Sequence, residues 1–348
     1  MDEYVLIEET IYEKEFSPQM IDALGKEGVR IYKVASAKDV ERAVAQEQRL
    51  LSGAETRGRE LSQDPAVMGH ESSRDEAVAG HVCSHAAEAG AALVYSSEMA
   101  AAVAGEGLAC AAYSDEGNEE ASFDGVMYLV TSLEGVDADF FRLIRARHFG
   151  RPLHIADTER LEIREFEEAD FEVFYAMITS APEGTVESIP LDSRESCREW
   201  FVSYIKTKYA FYDYGYWGAF DREGRLVGAC GVEVTDIPAA PCVAADTPEG
   251  PDTGACSSSE DRKEGLRVPA NELGYMVAPD FRGRGYAVEM VSAVAGFARE
   301  KLGFEKLVCR VSGDNVASRK TIEAVIEKDR LSYSCSELGG GDLLFLLE

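Results

Sequence analysis

The sequence predicts an α/β (α+β) chain of two domains, in which a mixed central sheet flanked by helices follows a smaller α/β domain. The chain has 348 residues, which is enough for two separate apolar cores. Short apolar runs typical of strands alternate along most of it with longer runs of helical period. A glycine-rich turn also joins a strand-like run, Glu272 to Val277, to a helical run that starts near Ala287.

Residues 1–150 are expected to form an accessory domain with parallel strands, because strands and helices alternate there. The predicted strands are Tyr4–Ile7, Val29–Val34, Ala92–Tyr95, Leu108–Ala112 and Val126–Val130, and the predicted helices are Pro18–Lys26, Ala37–Leu51, Glu98–Ala104 and Asp137–His148. Residues 52–88 are polar and lack an apolar period, so we interpret them as an insertion or a mobile segment.

The second predicted domain spans residues 151–348, after a connection at residues 149–160. Its predicted strands are Leu161–Phe166, Arg225–Glu233, Glu272–Val277, Lys306–Ser312, Leu331–Cys335 and Leu343–Leu347, with helices at Glu168–Thr179 and Ser193–Lys208 and helices starting near Ala287 and Asn315. Residues 236–268 are rich in Pro, Gly, Ser and Asp, which predicts a disordered loop between two central strands.

The segment Tyr209–Phe220 is dense in aromatic residues. It is either a rim that sorts substrates and excludes water, or a buried strand with aromatic edges. The tetrapeptide Asp221–Gly224 is turn-forming and would pair this segment with the following strand.

The turn Phe281–Ala287, of sequence F-R-G-R-G-Y-A, predicts an anion site. Gly283 and Gly285 lack a Cβ and adopt positive φ readily, so several backbone N–H groups can point into one concavity. The helix that follows has unpaired N–H groups and a partial positive charge at its start. Phosphate is the natural occupant of such a turn, and the two arginines add to its positive charge.

The stretch Asn271–Ser318 closely resembles the GCN5-related N-acetyltransferases, and more narrowly their RimJ/RimL-like branch. The acetyl-CoA signature of that superfamily is Arg or Gln, two residues, Gly, one residue, then Gly or Ala, and Arg282, Gly285 and Ala287 fill it in order. The N-x-x-S motif at Asn315 and Ser318 is also similar. The resemblance covers roughly residues 158–348 and implies the GNAT fold, with splayed middle strands in a mixed sheet.

The resemblance implies direct acetyl transfer from acetyl-CoA to a primary amine, either a protein N-terminus or a small amine. Backbone groups of the strand Leu273–Val277 would hold the pantetheine arm, and a peptide N–H would meet the thioester oxygen. The cofactor-binding residues implied are Met276 and Val277 as peptide donors, Arg282, Gly283, Arg284, Gly285, Tyr286 and Ala287 around the pyrophosphate, and Asn315 from the next helix.

Glu272 is the first candidate for the general base, because the family often has a carboxylate at the head of that strand and partial burial can raise the pKa of a Glu. Glu233 on the neighbouring strand is the alternative. Many relatives carry a tyrosine as general acid where this chain has Ile322. Ser318 is the candidate replacement, although a serine at that position is also typical of a helix cap.

The composition limits the partners. Asp and Glu total 64 against 35 Lys and Arg, for a formal net charge of -29, which disfavours nucleic acid and anionic membranes. The eight cysteines are scattered, as in cytoplasmic proteins with free thiols, and no ligand cluster predicts a metal site. We therefore expect a soluble cytoplasmic protein whose partners are acetyl-CoA and an amine, while its oligomeric state is open.

Two further interpretations concern catalysis. Residues Leu93–Leu133 resemble the last part of a haloacid-dehalogenase-like domain, but Ser96 and Ser97 replace its carboxylates and Glu8-Glu9-Thr10 replaces its D-x-D motif. We interpret the first domain as a non-catalytic, degenerate remnant of that kind or as a docking module, since such chemistry needs an aspartyl nucleophile and bound metal. The alternative for the whole chain is a catalytically silent, acyl-CoA-binding regulatory protein.

Overall fold

A computed structural model describes residues 3–60, 86–181, 189–238, 267–338 and 341–348. These residues form two compact units, Met1–Leu153 and His154–Glu348. Each unit is a sheet covered by helices, and each is described by itself below.

The first unit is built on a five-stranded sheet of order β2-β1-β3-β4-β5. All four strand pairs are parallel, as the sequence predicts, and the observed strand ends differ from the predicted ones by one or two residues. The strands are β1 Tyr4–Glu8, β2 Arg30–Val34, β3 Gly90–Val94, β4 Ala109–Tyr113 and β5 Tyr128–Val130. Strand β1 is buried along its whole length, because apolar clusters cover both faces of the sheet.

Five helices with defined bounds accompany this sheet. They are α1 Glu9–Lys14, α2 Pro18–Lys26, α3 Ala37–Glu60, α4 Ser97–Gly105 and α5 Ala138–His148. Side chains of Ser17, Ser96 and Asp137 cap α2, α4 and α5 by accepting a hydrogen bond from a backbone N–H of the first turn.

The predicted insertion at residues 52–88 is partly wrong. Residues 52–60 continue α3, and residues 86–89 are also helical. The residues that extend α3 are mostly Ala, Glu, Arg and Gly, and the first three propagate a helix that the apolar stripe of residues 40–51 has already nucleated. The remainder of the predicted insertion, residues 61–85, lies outside the described residues.

Glu8, at the end of β1, has a structural role. The carboxylate of Glu8 accepts hydrogen bonds from the backbone N–H groups of Tyr95 at 2.6 Å and Ser96 at 3.1 Å. Glu8 is 7% exposed, and its charge is used to tie β1 to the start of α4. The strand order is the one found in flavodoxin-like doubly wound sheets. The haloacid-dehalogenase-like resemblance of this unit stays a prediction.

The second unit is built on an eight-stranded mixed sheet of order β12-β13-β11-β10-β9-β8-β7-β6. Its strands are β6 His154–Asp157, β7 Leu161–Arg164, β8 Tyr216–Asp221, β9 Leu226–Pro238, β10 Arg267–Val277, β11 Leu307–Val311, β12 Tyr333–Glu337 and β13 Leu343–Leu347. The pair β10 and β11 is parallel, and the other pairs are antiparallel. The predicted mixed central sheet is confirmed.

In the described part of this unit, two α-helices lie on each face of the sheet. The helices are α6 Phe171–Thr179, α7 Arg194–Tyr212, α8 Tyr286–Glu300 and α9 Val316–Asp329. Helices α6 and α7 share an apolar cluster with Ala229 and Met276. Gly228 lies against Met290 of α8, and Tyr275 contacts Ser318 of α9. Since successive residues of a strand face opposite sides, α8 and α9 cover the other face.

Three predicted boundaries in this unit are wrong. Residues 149–160, predicted as a connection, contain the edge strand β6. The aromatic segment is divided: Tyr209–Tyr212 end α7, Asp213 closes the helix with a left-handed φ of 58°, and β8 begins at Tyr216. In the predicted loop 236–268, residues at both ends extend β9 and β10, where Arg267 pairs with Pro238. Residues 239–266 lie outside the described part of the chain.

Glycines set the close packing of β8, β9 and β10. Gly231 pairs with Tyr216 on one side and Gly274 on the other. A Cβ at Gly231 would lie 2.0 Å from the carbonyl oxygen of Gly215 and 2.4 Å from the Cα of Tyr216. Both neighbours are backbone atoms, so only glycine fits unless the strands separate.

We therefore expect Gly231→Ala to lower the free energy of unfolding by about 1–3 kcal/mol, because backbone atoms have to move. Gly296→Ala is the matched control: it lies in α8, where an added Cβ would meet no neighbouring atom within 4 Å, and the helical gain predicts stabilisation by about 0.5–1 kcal/mol. Urea unfolding of the full chain measures both. Equal stability of the two variants would contradict the account of the strand packing.

Candidate functional site

The gap that opens where β10 and β11 separate forms the centre of the candidate site. The two strands share a single register pair, Glu272 with Val308, near the start of β11. The same stretch of β10 stays paired with β9 from Arg267 through Val277. The gap therefore opens towards the carboxyl ends of two parallel strands, as the predicted splay requires.

The peptide groups that face this gap follow from the ladder between β9 and β10. The N–H of Ala278 donates to the carbonyl of Val227 at 2.9 Å, which continues the β9–β10 register by one pair. Because bonded pairs alternate along an antiparallel ladder, the N–H of Met276 is directed to β9, while those of Tyr275 and Val277 are directed to the gap. In agreement, the carbonyl of Val277 accepts a hydrogen bond from Arg282 Nε at 3.0 Å instead of from β9.

The glycine turn lies directly after β10. Gly283 and Gly285 have φ values of 73° and 81°, so both adopt the left-handed conformation expected from the sequence. Gly285 is the N-cap of α8 and provides no side-chain acceptor. Within the described part of the chain, the backbone N–H groups from Gly283 to Val288 bond to no acceptor. These open N–H groups and the helix start make a concentrated positive site.

A polar cluster around Glu289 holds the turn in place. The Glu289 carboxylate, in the first turn of α8, accepts hydrogen bonds from Thr158 Oγ1 at 2.6 Å and from the backbone N–H and Nε of Arg160 at 2.9 and 2.7 Å. Arg160 also donates to the carbonyl of Arg284 at 3.0 Å, and its guanidinium lies 4.1 Å from the ring centroid of Tyr286. The connection before β7 thus fixes both the turn and the first turn of α8.

The ionisation of Glu289 reflects this cluster. Burial alone would raise the pKa of its carboxyl, but the hydrogen bonds from Thr158 and from Arg160 outweigh burial and hold the pKa below the ordinary value of 4.5. The carboxylate is therefore charged wherever the protein is folded near neutral pH.

Two predicted carboxylates lie together on the face covered by α6 and α7. Glu233 and Glu272 are direct cross-strand partners. Glu233 accepts from Tyr204 Oη at 3.3 Å and forms an ion pair with Lys208 at 3.3 Å, while Glu272 pairs with Arg310 at 3.2 Å. Burial and the charge of Glu233 raise the pKa of Tyr204, so its hydroxyl stays neutral. This face presents two partly exposed carboxylates.

The opposite face of β10 brings the predicted Ser318 to a tyrosine. Asn315 caps α9, since its Oδ1 accepts from the backbone N–H of Ser318 at 2.9 Å. The Ser318 hydroxyl lies 2.9 Å from the hydroxyl of Tyr275, and burial raises the pKa of this tyrosine. Ile322, where many relatives have tyrosine, is fully buried. A tyrosine hydroxyl is therefore present at the start of α9, but it belongs to Tyr275 of β10.

The other predicted residues surround the turn. Arg284 extends over the ring of Phe281 at 5.9 Å, and Tyr286 and Ala287 are the first two residues of α8. Sequence reasoning missed five polar residues of the site: Arg160, Tyr204, Lys208, Tyr216 and Arg310. The dense aromatic run contained a signal for Tyr216, whereas the sequence gives no local sign that Arg160 or Arg310 lies near β10.

Other kinds of site find no support in the described residues. Over residues 3–60, 86–181, 189–238, 267–338 and 341–348, no three His, Cys, Asp or Glu side chains are grouped so that they would hold a metal ion. Over the same ranges, no helix combines the length and apolar character needed to cross a bilayer.

Comparison with known proteins gives a family match for the second unit. Residues 160–325 match the family model described as acetyltransferase (GNAT) domain. This match contains the strands β7 to β11, the glycine turn and most of α9.

Solved structures show likenesses that cover a little more than half of this chain. A putative GnaT-family acetyltransferase from Bordetella pertussis is 16% identical, with 56% of this chain and 99% of that chain covered and a TM-score of 0.39. An acetyltransferase from Agrobacterium tumefaciens is 21% identical, with 57% and 94% covered and a TM-score of 0.37. A putative ribosomal-protein-serine acetyltransferase from Vibrio cholerae is 16% identical, with 56% and 97% covered and a TM-score of 0.36.

The Glu289 cluster predicts a pH-dependent contribution to stability. Glu289→Gln should lower the free energy of unfolding by about 1–2 kcal/mol at pH 7, because charge-assisted hydrogen bonds are lost. A lowered folded pKa means that the difference from wild type is fully present above pH 4.5, the ordinary value, and shrinks as pH falls through the folded pKa. Urea unfolding at several pH values measures this, and a difference that grows below pH 4.5 would contradict it.

Proposed function

We propose that this chain, whose residues 160–325 match the acetyltransferase (GNAT) domain model, is an N-acetyltransferase that transfers the acetyl group of acetyl-CoA directly to a primary amine. The acceptor class is a protein N-terminus or a small amine. The observation that carries this proposal is the gap between β10 and β11, which ends at a glycine turn with open N–H groups.

The donor fits the turn and the gap in one continuous binding mode. The N–H groups from Gly283 to Val288 suit the pyrophosphate, and the arginines at positions 282 and 284 balance its charge. The peptide groups of Tyr275 and Val277 face the gap and suit the amide groups of a pantetheine arm. For the thioester oxygen, Met276 is the poorer of the two predicted peptide donors, because its N–H is directed to β9.

Acetyl transfer requires a base for the amine. We assign this role to Glu272, since it stands at the pair where β10 and β11 part, whereas Glu233 lies one strand farther from the gap. Glu233, held by Tyr204 and Lys208, would orient the amine by its charge. The amine loses its proton, its nitrogen bonds to the carbonyl carbon, and the bond from that carbon to sulfur breaks.

The leaving thiolate needs a proton in the end. Ser318 and Tyr275 share a hydrogen bond at the start of α9, on the face opposite the carboxylates. We propose that this pair donates the proton. Ser318 is the general acid, as predicted from the sequence, and Tyr275 is its hydrogen-bond partner. Asn315, which caps α9, would also contact the coenzyme.

The alternative is a silent acyl-CoA-binding protein, and one experiment separates the two. Acetyl-CoA is titrated by calorimetry, and thiol release from it is followed over a panel of amines and peptides. Binding with acceptor-dependent thiol release supports the transferase. Binding without thiol release for every acceptor supports the silent protein, and no binding would contradict both.

The pyrophosphate assignment predicts selective losses of coenzyme affinity. Arg282→Ala should weaken acetyl-CoA binding about tenfold or more, as expected for a charged hydrogen bond. Gly285→Ala should weaken it as well, because a φ of 81° strains any L-residue. Arg222→Ala, in an exposed ion pair with Asp157, is the control. Calorimetric affinities equal to wild type in both site variants would overturn the assignment.

The base assignment predicts different kinetic losses for two matched variants. Glu272→Gln should lower kcat/KM by about 10²–10⁴-fold, chiefly through kcat, because the proton acceptor is lost. Glu233→Gln should chiefly raise KM for the amine. The measurement is initial rates of thiol release against the concentration of an acceptor from the panel. A large loss of kcat in Glu233→Gln together with an unchanged kcat in Glu272→Gln would reverse the two roles.

A further inference from the structure

Tyr216 lies flat across the middle of the sheet and reaches the strand that borders the gap. It is in register with Gly231 of β9, which is in register with Gly274 of β10. A Cβ at Gly274 would lie 2.1 Å from the Tyr216 hydroxyl oxygen. Because Gly231 and Gly274 have no side chains, they leave a flat surface, here called the glycine shelf. The Tyr216 ring crosses β9 on this surface and places its hydroxyl over β10.

The backbone of Tyr216 is fixed, but its hydroxyl is free. Its N–H donates to Tyr204 Oη at 2.8 Å, and its carbonyl accepts from Tyr209 Oη at 2.5 Å. The Tyr216 hydroxyl has no hydrogen-bond partner within the described ranges of the chain. The hydroxyl oxygen is not fully buried, so a ligand that enters the gap can bond to it.

The surroundings keep this hydroxyl protonated. Burial raises the pKa of Tyr216, and the carboxylates of Glu233 and Glu272 raise it further, with smaller contributions from the Cys230 and Cys309 thiols. Tyr216 is thus a neutral hydrogen-bond donor at any pH at which the protein works.

The hydroxyl also lies next to a peptide donor. It stands over Gly274, and the following residue, Tyr275, directs its N–H into the gap. Two donors, one from a side chain and one from the backbone, therefore approach the same part of β10. Oxyanion holes in acyl-transfer enzymes combine donors of these two kinds.

We propose that the Tyr216 hydroxyl, together with the N–H of Tyr275, binds the carbonyl oxygen of the acetyl thioester. Tyr275 takes this place instead of Val277 because it follows Gly274, over which the hydroxyl stands, and the peptide of Val277 then serves a pantetheine amide. The inference rests on the proposed function. During transfer the amine nitrogen bonds to the carbonyl carbon, negative charge develops on the oxygen between the two donors, and the sulfur leaves as that charge returns to the carbonyl. Tyr216 keeps its proton throughout.

The test compares acetyl-CoA with CoA, because CoA lacks the acetyl group with its carbonyl oxygen and keeps the pantetheine and pyrophosphate groups. Calorimetry gives both dissociation constants for wild type and Tyr216→Phe, a variant that keeps the ring on the glycine shelf. We expect Tyr216→Phe to lose about fivefold in acetyl-CoA affinity relative to CoA, the usual worth of one neutral hydrogen bond. Tyr214→Phe, whose ring contacts Phe304, is the control and should keep the wild-type ratio.

A ratio in Tyr216→Phe that matches wild type would overturn the proposal, whether or not both affinities fall together. Such a result would leave the acetyltransferase function intact, since wild type would still bind acetyl-CoA. Failure of wild type to bind either compound would instead refute the proposed function. Unfolding temperatures of the two variants confirm that each is folded during the titration.

Discussion

The second unit is organised around one parallel strand pair, the single such pair among the described residues of its sheet, which separates after one register pair at Glu272 and Val308. Every other neighbouring pair of strands in that sheet is antiparallel. Peptide groups of β10 beyond Glu272 lose a partner on one side, and backbone groups without partners are costly unless a ligand or water meets them. The glycine turn and the start of α8 add further open N–H groups at the end of the same strand. The gap and the turn therefore form one continuous surface of hydrogen-bond donors.

The charge distribution around this surface is uneven. Arginines lie at the turn, whereas the face over β9 and β10 carries Glu233 and Glu272. On a chain with a formal net charge of -29, the backbone N–H groups and the arginines reverse the local sign at the turn. In the proposed function, the turn suits the anionic coenzyme and the carboxylate face suits an amine acceptor.

Much of this arrangement could be predicted because it is local in sequence. The turn is specified by the backbone conformation of Gly283 and Gly285 and by the helix that follows them. Asn315 indicates the start of a helix, because asparagine is a favoured N-cap residue. Contacts between distant residues could not be predicted, such as Arg160 with Glu289, because no local pattern encodes them. The predicted ends of helices and strands are wrong where polar residues continue a helix or a strand. Residues 52–60 extend a helix, and β9 and β10 pair farther than their apolar period suggests.

Amide hydrogen exchange with and without acetyl-CoA tests the central claim most directly, because it reports which backbone N–H groups the coenzyme covers. Acetyl-CoA should slow exchange in the segment 273–277, where the free N–H groups face the gap, and in the segment 283–288 at the turn. Exchange in β1 and β3 of the first unit should not change. Slowed exchange elsewhere, with both segments unaffected at saturating acetyl-CoA, would contradict the account.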